Sequence, residues 1–336
     1  MASPKLTVLM PNYNHAAFIA EALASVAGQT VAPDRIIVAD DASTDDSLAE
    51  LVRLQERIPY LEVIVNERNR GVVPTCKDLL ARADTECVYM MAADDKILPE
   101  FFEASLEMLA QNPPAGLCVS LSRLIDGEGR DLGMYKTPIV RRIPSYLSPL
   151  EVRQTLVSEG WFAQANAIVF RREALLSTGL LYDELGAFAD GFASRVIALT
   201  YGACFVPRPL AAWRRLEQGY SASESDDPQR FRTIRECAVE LMKTKYAGLF
   251  PPEYVDRFDK EMRLENELRR MGGRRKRRQA RLASSGVAGR TLGALLDLAA
   301  PLEHVAQVLW FRRRLGLALL DPFRKHARRL IRRPIA

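Results

Sequence analysis

The chain has 336 residues, 48% of them hydrophobic and 26% charged, and carries a formal net charge of +5, so it can bury one large core or two smaller ones. Its five cysteines (Cys76, Cys87, Cys118, Cys204, Cys237) are odd in number and lack CxxC spacing, which points to reduced core thiols in a reducing cytosol and against a secreted disulfide scaffold. No stretch reaches the roughly 18–20 apolar residues that span a bilayer, and the nearest, from Thr291 to Phe311, is broken by Asp297, Pro301, Glu303 and His304.

In chain order, Met1 to Lys5 lead into the short apolar run Leu6–Met10, too short for a secretory signal, which stops at Pro11-Asn12-Tyr13-Asn14. A helical pattern with Phe18, Ala22, Ser25 and Val26 on one face follows and ends near Gly28. A strand at 35–39 empties into Asp40-Asp41-Ala42-Ser43-Thr44-Asp45, whose hydroxyls and carboxylates suit the N-cap of a helix near 45–57. Leu61–Val65 alternates and breaks at Asn66–Gly71. A helix near 74–83 precedes a strand at 87–93, which empties into Asp94-Asp95-Lys96. Pro99 then opens a helix running to about Gln111, stopped by Asn112-Pro113-Pro114. This alternation predicts an α/β fold: a mostly parallel sheet with helices on both faces.

Beyond 125 the periodicity loosens. Asp126–Gly129 reads as a hairpin turn, and the proline-interrupted stretch 131–160 reads as irregular. A strand is expected at 166–170, a helix from Arg171 to Thr178, a helix near 190–200, and a strand at 203–206 ended by Pro207-Arg208-Pro209. From Pro228 to about Arg270 the pattern is helical and heavily charged, and Gly272-Gly273 marks a boundary. The rest is basic: residues 269–336 hold 18 Lys/Arg against Asp297, Glu303 and Asp321, a net +15, which leaves −10 on the first 268 positions. An acidic body with a basic tail is a two-part molecule. The expected division is an α/β body at 1–225, a charged helical extension at 226–272 and a basic amphipathic helical tail at 273–336.

The pairs Asp40-Asp41 and Asp94-Asp95 are the most informative positions. Each ends an apolar run, and unpaired carboxylates cost too much to bury, so both belong at the open edge where the strands finish. Ligands bind at that edge in open α/β sheets, and two acidic clusters meeting there suggest a divalent cation and a phosphate-bearing substrate. The plain alternative for each pair is a capped turn feeding the next helix.

Taken in order, these segments resemble the inverting family 2 glycosyltransferases, which have the GT-A fold. The resemblance covers roughly residues 5–225. It is carried by Val8–Asn14, Ile36–Asp45, Asn66–Gly71, Ala92–Pro99, the pair of segments Val169–Leu175 and Gly179–Glu184, and Val206–Arg214. It implies a transfer from a nucleoside diphosphate sugar, by default a UDP-sugar, to an acceptor hydroxyl with inversion. It also implies a divalent metal, Mn²⁺ or Mg²⁺. A diphosphate leaving group calls for cations to offset its charge, and the acceptor hydroxyl calls for a general base. By the same resemblance Pro11 and Tyr13 line the nucleotide pocket, Asp40 and Asp41 hold base and ribose, and Asp94 binds the metal. Asp190 falls at the catalytic base. Arg195, Trp213 and Arg214 are candidate acceptor or phosphate contacts.

Several positions depart from the family pattern. Ala92 stands where many members have an aspartate, Ala189 where many have a glutamate, and Cys76-Lys77 where Arg-Asn is frequent, which makes Lys77 the candidate phosphate cation. No histidine follows Arg214 in Arg215–Gln218. Asp183-Glu184 competes with Asp190 for the role of base. His15 reads as a loop residue, and His304 and His326 are too far apart in the tail to form a metal site.

In the tail, apolar residues recur at near-helical spacing between arginine clusters. That suits helices lying on an anionic inner membrane leaflet, helices packed on the body or on a sister subunit, or nucleic-acid binding by Arg274–Arg278, which lacks interleaved aromatics. The resulting expectation is a cytoplasmic enzyme, peripheral on the inner face of the membrane, acting in cell-envelope or lipid-linked glycan synthesis. The rivals are a sugar-phosphate nucleotidyltransferase, disfavoured because Pro11–His15 is not a Gly-rich signature loop; a non-catalytic nucleotide or glycan binder; and a membrane or nucleic-acid adaptor acting through the tail.

Overall fold

A computed structural model describes residues 3–177, 181–216, 219–220 and 227–283, with side chains described to 267. The reading of the tail from 284 onward lies outside the described residues. The chain falls into two compact units, one built from 1–222 with 237–254 and the other from 223–236 with 255–336.

The first unit is a helix-flanked sheet. In chain order its opening elements are β1 (Leu6–Asn12), α1 (Ile19–Ala27), β2 (Arg35–Asp40), α2 (Ser47–Gln55), β3 (Leu61–Val65), α3 (Val72–Arg82), β4 (Cys87–Met90), β5 (Lys96–Ile97) and α4 (Phe101–Gln111). There follow β6 (Leu117–Ile125), β7 (Asp131–Met134), β8 (Ser145–Leu147), α5 (Pro149–Ser158), β9 (Ile168–Arg171), α6 (Arg172–Ser177), α7 (Ala189–Tyr201) and β10 (Ala203–Arg214). The strand order is β3-β2-β1-β4-β9-β6-β10-β5, with β7 added to β6 and β8 to β10. β3, β2, β1 and β4 are mutually parallel, as are β6 and β10. β9 runs antiparallel between β4 and β6 and joins the two halves.

The period-2 pattern explains why both faces are covered. Val8, Met10, Ile36 and Val38 share a core with Ile19 and Leu23 of α1, Leu51 of α2 and Phe102 of α4. The alternating residues Leu9 and Ile37 are equally buried, and α3 lies against β1 and β2 on their side. In α1 the buried Ile19, Ala22, Leu23 and Val26 recur at the spacing of one helical stripe. Tyr89 meets Phe101 and Phe102 edge-on, with ring centroids 5.1 and 5.6 Å apart. Cys87, Cys118 and Cys204 are buried, and burial pushes the Cys87 and Cys204 thiols up to about 12, the behaviour of inert core thiols.

Two expectations need correction. The stretch 131–160 is not irregular: it holds β7, β8 and α5. Its prolines read as breakers, but Pro149 is the first residue of α5, and Ser148 and Glu151 form a reciprocal capping box around it. Nor does the last strand stop at Pro207. β10 continues to Arg214 because both prolines fall where its register against β6 shifts, between Val206 and Ala211. The hairpin expected at 126–129 is present, with the Asp126 backbone N–H donating to the Arg130 carbonyl at 3.0 Å.

The second unit contains the first part of helix α8 (Pro228–Lys243) and most of α9 (Pro252–Ala283). Arg235, buried, pairs with Asp259 and with Glu236, and Phe231, Ile234, Phe258 and Leu264 are buried beside this charge cluster.

Candidate active site

The carboxyl ends of β2, β1 and β4 lie side by side, in register Asn12 to Asp40 and Leu9 to Met90. The loops leaving them are stitched together. Asn12 Nδ2 donates to Asp40 Oδ2 at 2.8 Å, and the Ser43 amide donates to Asp40 Oδ1 at 2.9 Å. The Asn14 amide donates to Ser43 Oγ, and the Thr44 amide returns a bond to Asn14 Oδ1 at 2.7 Å. The His15 amide donates to Ser47 Oγ and the Ala16 amide to Asp45 Oδ2. Asn14 and Ala42 both take positive φ, 57° and 60°, so two of the described non-glycine residues with that backbone sit in these loops. Pro11 is half-buried at the end of β1. The fixed loop leaves Tyr13 41% exposed, with its ring available to an incoming group.

Three of the four carboxylates are buried and held by protein donors, Asp40 by Asn12 and Ser43 as above, and Asp94 alone is half-buried. Asp41 is buried and accepts from Asn66 Nδ2 at 2.7 Å, from the Arg70 amide and from the Gly71 amide at 2.8 Å, so it fastens the Asn66–Gly71 turn. Asp95 is buried, with the Arg214 amide donating to Oδ1 at 2.7 Å. Burial, then the neighbouring Asp94 charge, pushes its carboxyl well above the usual range. Asp94 is half-buried, and no other side chain hydrogen-bonds its carboxylate among the described residues. Burial raises its carboxyl above the usual range, against the pull of His15 and Arg214.

Arg214 is almost fully buried and every part of its side chain is engaged. Nε donates to the Asp94 carbonyl at 2.7 Å, and Nη1 to the carbonyls of Asp126 and Gly127 at 3.0 and 2.9 Å. Nη2 pairs with Glu21, which also receives Lys96 Nζ at 2.6 Å. Its guanidinium lies 4.9 Å over the Phe18 ring. Arg214 therefore ties the Asp94-Asp95 loop, the end of β10, the β6–β7 turn and α1 into one body. Trp213, the residue before it, meets Tyr135 edge-on at 5.7 Å.

Asp190 lies in the first turn of α7, half-buried. Burial raises its carboxyl above the usual range, against the Gly191 amide and the Arg195 charge. Cys76 of α3 is its electrostatic neighbour, so α3 and the start of α7 converge here. Arg195 is buried between rings, 4.6 Å from Trp161 and 5.0 Å from Phe188, and its Nε donates to the Tyr254 hydroxyl at 2.8 Å. Lys77 is exposed and paired with Asp183 at 2.9 Å, which engages both the candidate phosphate cation and the rival base.

His15 carries more than its sequence position suggested. It interacts electrostatically with both Asp45 and Asp94, and its Nδ1 is buried without a hydrogen-bond partner. Nothing in a lone loop histidine signals this; it follows from the loops of β1, β2 and β4 meeting. Among the described residues no three His, Cys, Asp or Glu side chains form a metal cluster. The donor set is one open carboxylate at the sheet edge. It fits a divalent cation completed by phosphate and water and does not fit an all-protein cage.

The sequence pattern described as Glycosyl transferase family 2 matches residues 7–176, which includes β1 through α6 and both acidic pairs. The chain belongs to glycosyl transferase family 2. Among its relatives, an uncharacterised glycosyltransferase of Nostoc sp. is 27% identical over 172 residues, 51% of this chain and 52% of that protein. The succinoglycan biosynthesis protein ExoO of Rhizobium meliloti is 24% identical over 212 residues, 62% of this chain and 60% of ExoO. The chain thus matches between half and two-thirds of these relatives' length.

Two solved structures share the fold. Staphylococcus aureus TarS 1–349 in complex with UDP-GlcNAc has a TM-score of 0.57 at 18% identity, covering 78% of this chain and 72% of that one. The mannosyltransferase PcManGT from Pyrobaculum calidifontis, in complex with GDP-Man and Mn²⁺, has a TM-score of 0.57 at 20% identity, covering 94% and 87%. The expected GT-A-like α/β fold is therefore present. No described helix is long and apolar enough to cross a membrane.

Proposed function

We propose that this family 2 glycosyltransferase moves a sugar from a nucleoside diphosphate sugar, a UDP-sugar by default, to an acceptor hydroxyl with inversion, in cell-envelope or lipid-linked glycan synthesis. The observation that carries the donor site is the contrast between Asp94 and the other three carboxylates of the acidic pairs. Asp41 and Asp95 are consumed by backbone amides, whereas Asp94 keeps an open carboxylate at the edge shared by β1, β2 and β4. Tyr13 and Pro11 would flank the nucleotide, with Asp40 holding Asn12 and Ser43 in place beneath it.

Asp94 would hold a divalent cation, which when bound offsets the charge developing on the diphosphate. Asp190 would take the proton from the acceptor hydroxyl. A carboxyl raised by burial is a stronger base than an exposed one, which favours it over Asp183 in its ion pair with Lys77. Arg195 and Arg214 would act by holding the α7 start and the Asp94 loop in place, because their guanidinium groups are occupied by protein partners.

Calorimetric titration with UDP, GDP and dTDP, with and without Mn²⁺, tests the donor site on the wild type and on Asp94→Ala. Metal-dependent binding of one nucleotide, lost in Asp94→Ala, is expected; binding to none by the folded protein refutes the reading. A transfer assay then separates catalysis from the non-catalytic binder that Ala92 and Ala189 would otherwise allow.

A further inference from the structure

Most of the sheet's surroundings are ordinary, but one segment is not. Exposed large apolar side chains concentrate between β7 and α5: Leu132 is 53% exposed, Ile139 63%, Ile143 69% and Leu150 64%, with Met134 also exposed. Scattered surface leucines need no explanation, but a run of them in one segment marks a surface that something covers. From 132 to 150 the sequence has no aspartate or glutamate and has Lys136, Arg141 and Arg142. Arg141 pairs with Glu151, while Lys136 and Arg142 are exposed with no ion pair to a described carboxylate.

The topology says how this segment lies. β7 pairs with the carboxyl-terminal end of β6, at Arg123–Ile125, and β8 pairs with the amino-terminal end of β10, at Ala203–Phe205. Because β6 and β10 are parallel neighbours, residues 135–144 run back from the carboxyl edge of the sheet to the opposite edge. The segment is anchored at the site end. Tyr135 donates its amide to the Ser122 carbonyl at 2.9 Å and sets its ring against Trp213, and Trp213 precedes the Arg214 that holds the Asp94 carbonyl. Half-buried Trp and Tyr rings beside exposed isoleucines and uncompensated cations make up the composition that settles at a lipid–water interface.

We infer that the 132–150 segment is a docking surface for an anionic lipid bilayer, its isoleucines entering the acyl boundary and Lys136 and Arg142 meeting headgroup phosphates. A protein partner that covered isoleucines beside unpaired cations would have to bring carboxylates of its own, whereas an anionic leaflet supplies apolar depth and negative charge together. The surface is distinct in sequence from the basic tail.

Hydrogen exchange of the full chain tests it, read by mass spectrometry with vesicles of phosphatidylglycerol and phosphatidylcholine and with phosphatidylcholine alone. The expected result is protection of 132–150 on the anionic vesicles only. Co-sedimentation of Ile139→Asp/Ile143→Asp should weaken by about tenfold or more, since two exposed isoleucines lose their burial. Both positions are exposed, so circular dichroism should stay unchanged. Vesicle binding without protection of 132–150, and insensitive to the double substitution, would assign binding elsewhere and overturn the inference. So would absence of vesicle binding, or protection that grows with protein concentration without vesicles, which would make this face a contact between copies. None of these outcomes depends on nucleotide binding, so the surface and the donor site stand or fall separately.

Discussion

Replacing Arg214 with alanine should damage the molecule more than any surface arginine would. The backbone bond from residue 214 to Asp95 survives, but the carbonyls of Asp94, Asp126 and Gly127 each lose a charged donor. Hydrogen bonds to a charged group contribute about 1.5–3 kcal/mol each, and water entering the vacated space recovers part of that for carbonyls near the edge. The Glu21 ion pair adds little: that side chain is 45% exposed and keeps Lys96, so screening holds its contribution to at most about 1 kcal/mol. The net loss should be about 3–5 kcal/mol, the size associated with breaking a buried charged network.

Urea unfolding followed by far-ultraviolet circular dichroism should show a midpoint lowered by about 1 M or more, with an unchanged slope. Arg214→Lys should recover less than half of the loss, because a single ammonium cannot serve three carbonyls and Glu21 at once. Metal-dependent nucleotide binding should weaken in parallel, since the Asp94 loop loses its tether. A loss below about 1 kcal/mol, with binding intact, would refute the view of Arg214 as the clamp of this loop.

Three further substitutions probe other parts of the argument. Asp190→Asn should lower kcat by about 10²–10⁴-fold with little change in the donor KM. The wild-type rate should rise with pH through a value above the usual carboxylate range, because burial raises this carboxyl and the base acts only when deprotonated; a rate flat across that range would exclude it. Ala42→Gly should stabilise by about 1 kcal/mol, as φ at 60° strains an alanine and suits glycine, and a lowered melting temperature would contradict this. Gly202→Ala should cost about 3 kcal/mol or more in the same urea assay. Its φ is 79°, and an added Cβ would lie 2.5 Å from both the Leu147 carbonyl and the Tyr146 hydroxyl.

The sequence revealed the sheet because its first half is built from local signals: apolar runs, glycines and capping hydroxyls lie within each element. It misled where one residue type serves two purposes. Proline 149 starts a helix, prolines 207 and 209 sit at a register shift, and both look like breakers in one dimension. The two acidic pairs were legible as strand ends, but the partners of their carboxylates were not. Asp41 is claimed by the Arg70 and Gly71 amides and Asp95 by the Arg214 amide, partners that only folding brings near. The pairing of Lys77, the candidate phosphate cation, with Asp183 joins residues far apart along the chain and could not be read from either one. His15 looked idle for the same reason, since its neighbours Asp45 and Asp94 come from other loops.

The antiparallel β9 also imposes an order on synthesis. When β1 to β4 have left the ribosome, β4 still presents a bare edge, because the strand that covers it ends at Arg171. On its other side β9 pairs with β6, which is made earlier and must wait as well. An unpaired edge rich in apolar residues is a template for wrong partners. The nascent chain therefore passes through a long interval in which its parallel β1–β4 half is complete in sequence yet open to aggregation. Substitutions that weaken β9 should show themselves first as lost yield in cells, before any effect on the purified protein.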